Sequence, residues 1–234
     1  MSEGVGKALA NAIRDELPAP AEGRGRHLFQ NSRRRSIFTL LTENPCMGIG
    51  ALASRIGLSK NAVKWHLEAL LKGGYVVKYG TGRGKVFYPE GLITQDMAAL
   101  FLTINSPRQS CLFKEIVAKP GLSQGDIARN LEKSRQWVAS SIKTLERTGL
   151  VSGVADGVHA RYYPTRLLPD MADGFYRGSK DFGDYILKKL GREGGNPPVI
   201  VKRGLDRIMV EIGYRSSRIN IEIGVNPYLT CLGC

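Results

Sequence analysis

Basic and amide side chains recur at close spacing in two places within residues 59–85 of this 234-residue chain. The first place is Lys60, Asn61 and Lys64, with Trp65 beside them, and the second is the glycine-rich run 80–85. Lysine and arginine bind phosphate oxygens, asparagine binds base edges, and an indole ring packs on a sugar or a thymine methyl group. These residue types therefore indicate a nucleic-acid surface and not a reacting centre.

A similar set of side chains follows about 75 residues later. The candidate contact residues are Arg33, Arg34, Arg35, Ser59, Lys60, Asn61, Lys64, Trp65, Thr81, Arg83 and Lys85 in the first set, and Ser134, Arg135, Gln136, Ser140, Lys143 and His159 in the second. The loop 155–159 of the second set lacks the paired cations of the first and carries Asp156. We therefore expect the first set to supply more of the electrostatic attraction for an anionic partner.

Two alternative interpretations apply to these residues. Lys60 and Lys64 also fit a solvated helix face, where a charge run has no binding role. The glycine-rich run also resembles a loop that cradles nucleotide phosphates, but Lys85 is followed by Val86 and not by the Ser or Thr of that motif. The run is also predicted to join two strands, which argues against a nucleotide site.

The two sets belong to an internal repeat. The chain aligns with itself without a gap at a constant offset of 75 residues, from Arg33/Arg108 to Leu92/Leu167. Identical residues recur at turn positions and at apolar anchors, as in Gly74/Gly149 and Phe38/Phe113. The sequence thus predicts two copies of one small module.

Each copy predicts the order helix, helix, turn, helix, strand, loop, strand. In the first copy Pro45 stops the first helix, Gly57 and Leu58 form the turn, and Ser59 is the N-cap of the third helix. The predicted helices and strands are 33–44, 48–56, 59–72, 75–79 and 86–89 in the first copy, and 108–119, 123–131, 134–147, 150–154 and 160–164 in the second. This order is a helix-turn-helix followed by a β-hairpin, and its third helix is suited to the major groove of DNA.

The first copy carries the pattern Ile49-x-x-Leu52-Ala53-x-x-Ile56-Gly57-Leu58-Ser59-x-x-x-Val63-x-x-His66-Leu67-x-x-Leu70-x-x-x-Gly74-x-Val76. The pattern resembles the winged-helix transcription regulators of the MarR and ArsR type. Two such modules in one chain resemble the tandem winged-helix regulators that are common in archaea. The resemblance implies a recognition helix in the major groove and a hairpin wing on the DNA backbone.

The charge of the chain agrees with a nucleic-acid partner. The 34 Lys and Arg residues exceed the 21 Asp and Glu residues by 13, and 11 of these 13 excess charges lie within residues 28–169. No apolar run approaches the roughly 18–20 residues that span a bilayer, so no membrane association is expected. Four cysteines are too few for a disulfide scaffold. We expect a cytoplasmic, nucleoid-associated protein.

The predicted architecture is α+β in four segments. They are a disordered tail over 1–27, winged-helix domains over 28–95 and 96–169, and a C-terminal unit over 170–234. The last unit is predicted to contain an amphipathic helix that ends near Lys189 and strands over 199–202, 207–212 and 218–223. Such a sheet is too small for a core of its own, so it must pack on the preceding helix, on a winged helix or on a second subunit. A small sensory or dimerising unit, and hence a homodimer, is one expectation.

The hypothesis with most support is a sequence-specific regulator that binds double-stranded DNA, without catalysis, metal or cofactor. The pair Cys231 and Cys234 supplies at most two of the four ligands that zinc needs. Only three histidines occur, and no nucleophile motif accompanies them. Two alternatives remain open: an adaptor that binds proteins of the transcription or replication machinery, and an RNA-binding winged-helix protein.

Overall fold

The structure is a computed structural model, and it describes residues 28–82, 84–193, 196–214 and 217–232. The described chain divides into two compact units. The first unit contains residues 28–93 together with Lys180–Val225, and the second contains Thr94–Ser179 together with residues 226–232. The predicted tail over 1–27 lies outside the described residues.

The helices and strands of the described residues follow one another along the chain as a mixture of α and β elements. After a short 3-10 turn (Leu28–Gln30) they are α1 (Ser32–Glu43), β1 (Met47–Gly48), α2 (Ile49–Ile56), α3 (Lys60–Lys72), β2 (Val76–Thr81), β3 (Gly84–Pro89), α4 (Gln95–Ile104), α5 (Pro107–Ala118), β4 (Leu122–Ser123), α6 (Gln124–Asn130), α7 (Arg135–Arg147), β5 (Val151–Asp156), β6 (His159–Pro164), α8 (Leu167–Gly191), β7 (Val199–Arg203), β8 (Arg207–Tyr214), β9 (Ser217–Gly224) and α9 (Pro227–Leu232).

Local signals in the sequence set the helix ends of the first unit. The Asn31 side chain accepts a hydrogen bond from the backbone N–H of Arg34 at 3.2 Å and starts α1. Gly57 ends α2 in the left-handed conformation, at φ 71°, which glycine adopts without steric cost. Ser59 then caps α3 through the N–H of Ala62 at 3.2 Å. The predicted turn and N-cap are therefore confirmed.

Three aromatic rings form one part of the core of the first unit. Phe29 lies 5.2 Å from Phe38 and 4.8 Å from Tyr75, measured between ring centroids, and all three side chains are buried. The tilted and edge-on geometries are those that favour aromatic pairs. The core thereby fixes α1 against the segment that leads into β2.

The sheet of this part of the unit has the antiparallel order β1-β3-β2. The predicted loop over 80–85 is too long, because Gly80 pairs with Lys85 and Thr81 pairs with Gly84 in the register of the hairpin. The two-residue strand β1 was not predicted. It pairs Met47 with Phe87 and is too short to give a periodic signal in the sequence.

The second unit repeats these elements in the same order. The bounds of α5, β4, α7, β5 and β6 are those of their counterparts in the first unit plus 75, and α6 ends one residue early. Its sheet has the order β4-β6-β5, which corresponds strand for strand to the first sheet. Buried side chains at helical spacing, including Leu112, Ile116, Val138, Ile142 and Leu145, form its core.

The third sheet, β7-β8-β9, belongs to the first unit, since it packs against α1. Thr39 donates its hydroxyl to the carbonyl of Glu222 at 2.5 Å, and the N–H of Gly224 donates to Thr42 Oγ1 at 2.8 Å. The three strands were predicted to within two residues. The structure groups these strands with residues 28–93 and not in a separate C-terminal unit. Of the three partners expected for the sheet, it packs on a helix of the predicted first winged-helix segment.

An ion-pair network lies beside this junction. The Arg207 guanidinium contacts Glu222 at 3.0 Å, Asp206 at 2.9 Å and Glu43, on α1, at 3.4 Å. Burial raises the pKa of Glu43, and the positive charge of Arg207 opposes that rise. The network joins the end of α1 to strands β8 and β9.

Helix α8 runs 25 residues, from the second unit into the first. Phe182, Ile186 and Leu190 on its C-terminal part are buried in the first unit, as the predicted amphipathic pattern requires. No helix in the described ranges is both long and apolar enough to cross a membrane.

Candidate nucleic-acid interface

Helix α3 divides its residues between a buried face and an exposed face. Val63, Leu67 and Leu70 are buried, whereas Lys60 and Asn61 are exposed near the N-terminal end. Because a residue four positions on lies on the same side of a helix, Lys64 continues the exposed face started by Lys60. The buried face thus holds the helix in place and directs the predicted contact residues to solvent.

Lys64 has a single weak ion pair within the described residues. Its ammonium lies 4.0 Å from Glu68, and the two side chains remain 65% and 61% exposed. Exposed pairs of this kind are worth about 0–1 kcal/mol. Lys64 can therefore exchange Glu68 for a phosphate oxygen at little cost.

The three successive arginines of α1 do not share one environment. Arg33 is exposed, and Arg35 donates to the carbonyls of Phe29 and Gln30 at 2.7 and 3.0 Å. Arg34 is only 1% exposed, and its Nη1 donates to the carbonyl of Leu28 at 3.3 Å. The predicted surface contact from Arg34 is not compatible with this burial. Successive helical residues lie about 100° apart, so one of three must point inward.

Part of the Trp65 ring packs against side chains of the first unit. The Arg34 guanidinium lies over its ring at 4.9 Å from the centroid, and the ring of His66 lies 4.9 Å away. His66 is buried, as predicted for a packing residue. Since Trp65 is half-buried, only part of its ring is available to a ligand.

The β2–β3 hairpin presents Lys85 as an exposed side chain. Thr81 donates its hydroxyl to the carbonyl of Gly84 at 2.9 Å, which closes the hairpin near its tip. Arg83, the second predicted cation of this hairpin, lies outside the described residues.

The predicted contact residues of the second unit are brought together at the start of α7 and on β6. Ser134 caps α7 through the N–H of Trp137 at 3.1 Å. Exposed side chains follow it along the helix or lie at the start of β6, and they are Arg135, Gln136, Ser140, Lys143 and His159.

Arg108 of α5 restrains one of these residues. Its guanidinium donates to the Ser141 hydroxyl at 2.7 Å, to the Trp137 carbonyl at 2.8 Å and to the Ser140 hydroxyl. It also lies over the Trp137 ring, 4.9 Å from the centroid. The Ser140 hydroxyl is therefore engaged within the protein, which reduces its value as a DNA contact.

Sequence reasoning missed three cations of the second unit. Arg129 on α6, Lys133 in the following turn and Arg161 on β6 line a cavity of about 740 Å³ together with Arg135 and His159. Only the last two were predicted, because they lie on the third helix and at the hairpin, where a winged helix is expected to contact DNA. The signal was present as basic residues on both sides of the predicted turn.

The described residues hold no group of three or more His, Cys, Asp or Glu side chains close enough to bind a metal ion. Cys46 is buried and Cys111 is exposed, and neither takes part in a disulfide bond. The side chain of Cys231 and the whole of Cys234 lie outside what the structure describes, so the predicted thiol pair stays a prediction.

Comparison with known families identifies the first module. Residues 30–77 match the family model for winged helix-turn-helix DNA-binding domains. The first unit contains a winged helix-turn-helix domain. The match covers α1, α2 and α3 of the winged helix and reaches the start of β2. This agrees with the resemblance that the residue pattern from Ile49 to Val76 carries.

Solved structures give weaker similarities. The transcriptional regulator SlyA is 21% identical over 40% of this chain and 67% of its own, with a TM-score of 0.28. ScpB from Mycobacterium tuberculosis is 16% identical over 59% and 92% of the two chains, with a TM-score of 0.26. The DIP2311 protein from Corynebacterium diphtheriae is 17% identical over 58% and 26%, with a TM-score of 0.22. No curated protein matches the chain.

Proposed function

We propose that the chain is a transcription regulator that binds double-stranded DNA through two winged helices in tandem. Helix α3 occupies the major groove, and the β2–β3 hairpin contacts the backbone. The observation that carries this proposal is the winged helix-turn-helix match over residues 30–77, combined with the exposed polar face of α3.

The side chains of α3 suit both kinds of DNA contact. The major groove is about 12 Å wide and admits one α-helix. Asn61, near the N-terminal end, has the amide that pairs with adenine, whereas Lys60 and Lys64 suit guanine or phosphate. Lys85 of the hairpin adds a cation for the backbone.

The tandem arrangement is supported by the element bounds of the second unit, which repeat those of the first at the offset of 75. Its helix α7 corresponds to α3, and Arg135 occupies the position of Lys60. We therefore assign α7 the same role in a second segment of DNA.

A charge-matched pair of variants tests the proposal. The triple variant K60A/K64A/K85A removes three exposed cations from the candidate interface, and K180A/K188A/K202A removes three exposed cations from other elements of the same unit. Fluorescence anisotropy against duplex DNA, measured from 0.05 to 0.3 M salt, gives the slope of log K against log salt. Three lost phosphate contacts reduce that slope by about 2.7.

We expect the slope to fall for the first variant and to stay unchanged for the second. An equal effect of both variants would show that the charge acts without a shaped interface. Affinity selection of bound DNA tests sequence specificity, with N61A as the variant that loses base preference at one position. Equal affinity for random and selected duplexes would instead favour the protein adaptor, and preference for structured RNA would favour the RNA-binding alternative.

A further inference from the structure

A cavity lined by basic side chains lies in the second unit and has a volume of about 740 Å³. We call it the basic notch. It is lined by α6, by the turn before α7, by the first residue of α7 and by β6. Four of its side chains are permanent cations, and they are Arg129, Lys133, Arg135 and Arg161. Asp126 is the only carboxylate on its lining.

The first unit does not repeat the four cations of this notch at the equivalent sequence positions. The residues that occupy the same positions 75 places earlier are Ser54, Leu58, Lys60 and Val86. One cation therefore stands where the second unit has four. The two modules share a fold but differ in charge at this place, so the notch is not a by-product of the repeated architecture.

Carboxylate groups within the unit contact two of the four cations, Arg129 and Arg161. Asp126 accepts a hydrogen bond from the Ser123 N–H at 3.0 Å and donates its own N–H to the Ser123 hydroxyl at 3.2 Å, which is a capping box, and the Ser123 hydroxyl also donates to the carboxylate at 2.6 Å. These bonds, with the contact from Arg129, lower the pKa of Asp126 to about 2. The carboxylate stays ionised at neutral pH and contacts Arg129 and, at 3.7 Å, Arg161, whose Nε lies nearer to Asp156, at 2.8 Å.

The other two cations, Lys133 and Arg135, have no ion pair within the described ranges and are exposed. They flank Ser134, the N-cap of α7, so the backbone geometry at the cap fixes where both side chains begin. Lys133 and Arg135 are two unpaired cations on a fixed turn. Beside them lie Arg129, which Asp126 holds, and Arg161, which Asp156 and Asp126 hold, and the four form a site of complementary charge for a phosphate group.

We infer, on the basis of the proposed function, that the basic notch binds a phosphodiester group of the DNA backbone through Lys133 and Arg135. The guanidinium groups of Arg129 and Arg161 add to the positive potential of the site. The second module therefore supplies electrostatic attraction that its hairpin loop, with Asp156, does not. The second module thus adds two phosphate contacts to the three proposed for Lys60, Lys64 and Lys85 of the first.

The test is the double variant K133A/R135A in the full chain, measured against duplex DNA as a function of salt. Loss of two phosphate contacts lowers the salt slope by about 1.8 and the affinity at 0.1 M salt by about 60-fold. The control K114A/K119A removes two exposed cations of the same unit, one on α5 and one directly after it that pairs with Glu115, and should leave the salt slope unchanged. K133Q/R135Q repeats the loss of charge with polar side chains, in case K133A/R135A fails to fold.

A titration with inorganic phosphate, followed by NMR, separates the two sources of a phosphate group. Weak phosphate binding that K133A/R135A and K133Q/R135Q both abolish, together with their reduced salt slope for DNA, supports a backbone contact. Tight phosphate binding at the notch with an unchanged DNA slope in K133Q/R135Q would overturn the inference in favour of a small phosphorylated ligand. An unchanged slope in that variant, while K60A/K64A/K85A still weakens binding, would overturn the inference and leave the proposed function standing. If neither set changes binding, both fail.

Discussion

The junction between α1 and β9 permits the sharpest test of the fold, through Gly224→Ala. A Cβ atom at residue 224 would lie 2.8 Å from the carbonyl oxygen of Thr42, 3.0 Å from its carbonyl carbon and 3.2 Å from the nitrogen of Glu43. All three are backbone atoms, so no side-chain rotation can relieve the contact. Either α1 or β9 must move.

The size of the effect follows from two contributions. Forcing an extra methyl group into a packed site costs about 1–3 kcal/mol. The displacement also weakens the buried hydrogen bond from Gly224 N–H to Thr42 Oγ1, which now measures 2.8 Å, and an unsatisfied buried group costs about 1–3 kcal/mol. We expect the free energy of unfolding of the first unit to fall by about 2–6 kcal/mol.

Urea unfolding followed by tryptophan fluorescence measures this change. The chain has two tryptophans, so a W137F background leaves Trp65 as the reporter of the first unit. Gly80→Ala is the matched control, because Gly80 also lies in a strand and has no atom within 4 Å of its added Cβ. The control should be neutral or up to about 1 kcal/mol more stable. A loss for Gly224→Ala within 0.5 kcal/mol of the control, on the order of the scatter for surface changes, would refute the close approach of β9 to α1.

Three further predictions concern the second unit. Glu132 has φ 52° at the position where the first unit has Gly57. E132G should therefore raise the free energy of unfolding of the second unit by about 1 kcal/mol, which a higher midpoint of thermal unfolding would show. Asp126 has a pKa lowered to about 2, so its contribution to stability is complete above the unfolded value near 4 and is lost as the pH falls towards 2; D126N should remove that part of the acid unfolding curve, measured by circular dichroism. R108A should lower the free energy of unfolding of the second unit by about 1–2 kcal/mol, because the buried Ser141 loses a donor. Urea unfolding followed by Trp137 fluorescence in a W65F background measures this change.

Each of these predictions has its own control. E132A keeps a Cβ at the left-handed position, so stabilisation equal to that of E132G would point to charge and not to backbone strain. An acid transition of D126N identical to that of the unmodified chain would exclude the Asp126 carboxylate as its source. R108K keeps the charge but not the planar group, and full retention of stability in R108K would contradict the role given to the guanidinium.

The repeat made much of the fold predictable. Turn residues such as Gly57 and the N-cap Ser59 act through the local backbone, and the apolar stripe of α3 has the period of a helix. The bounds of α3 and α7 follow from such local signals, which the sequence states directly. The winged helix-turn-helix domain of the first unit was predictable for the same reason.

The remainder depends on contacts between residues distant in sequence. Nothing near Gly224 indicates that its N–H will bond to Thr42, 182 residues away. Arg34 lies three, four and seven residues before the buried Ile37, Phe38 and Leu41, but its acceptance on that face depends on the carbonyl of Leu28 and the ring of Trp65. The basic notch combines Arg129 and Arg161, which lie on a helix and on a strand. Pattern reasoning treats such elements one at a time and does not place them together.

The division of the chain between the units has a consequence for synthesis on the ribosome. The face of α1 that carries Thr39 and Thr42 is complete early, but β9, which covers it, ends at Gly224. At about 5–20 residues per second, the roughly 130 residues translated between the end of the winged helix and β9 take about 7–26 s. During that time residues 94–179 of the second unit can fold, whereas α1 is still without its partner strand. Strand β9 therefore completes a unit whose helices were translated before the greater part of the second unit.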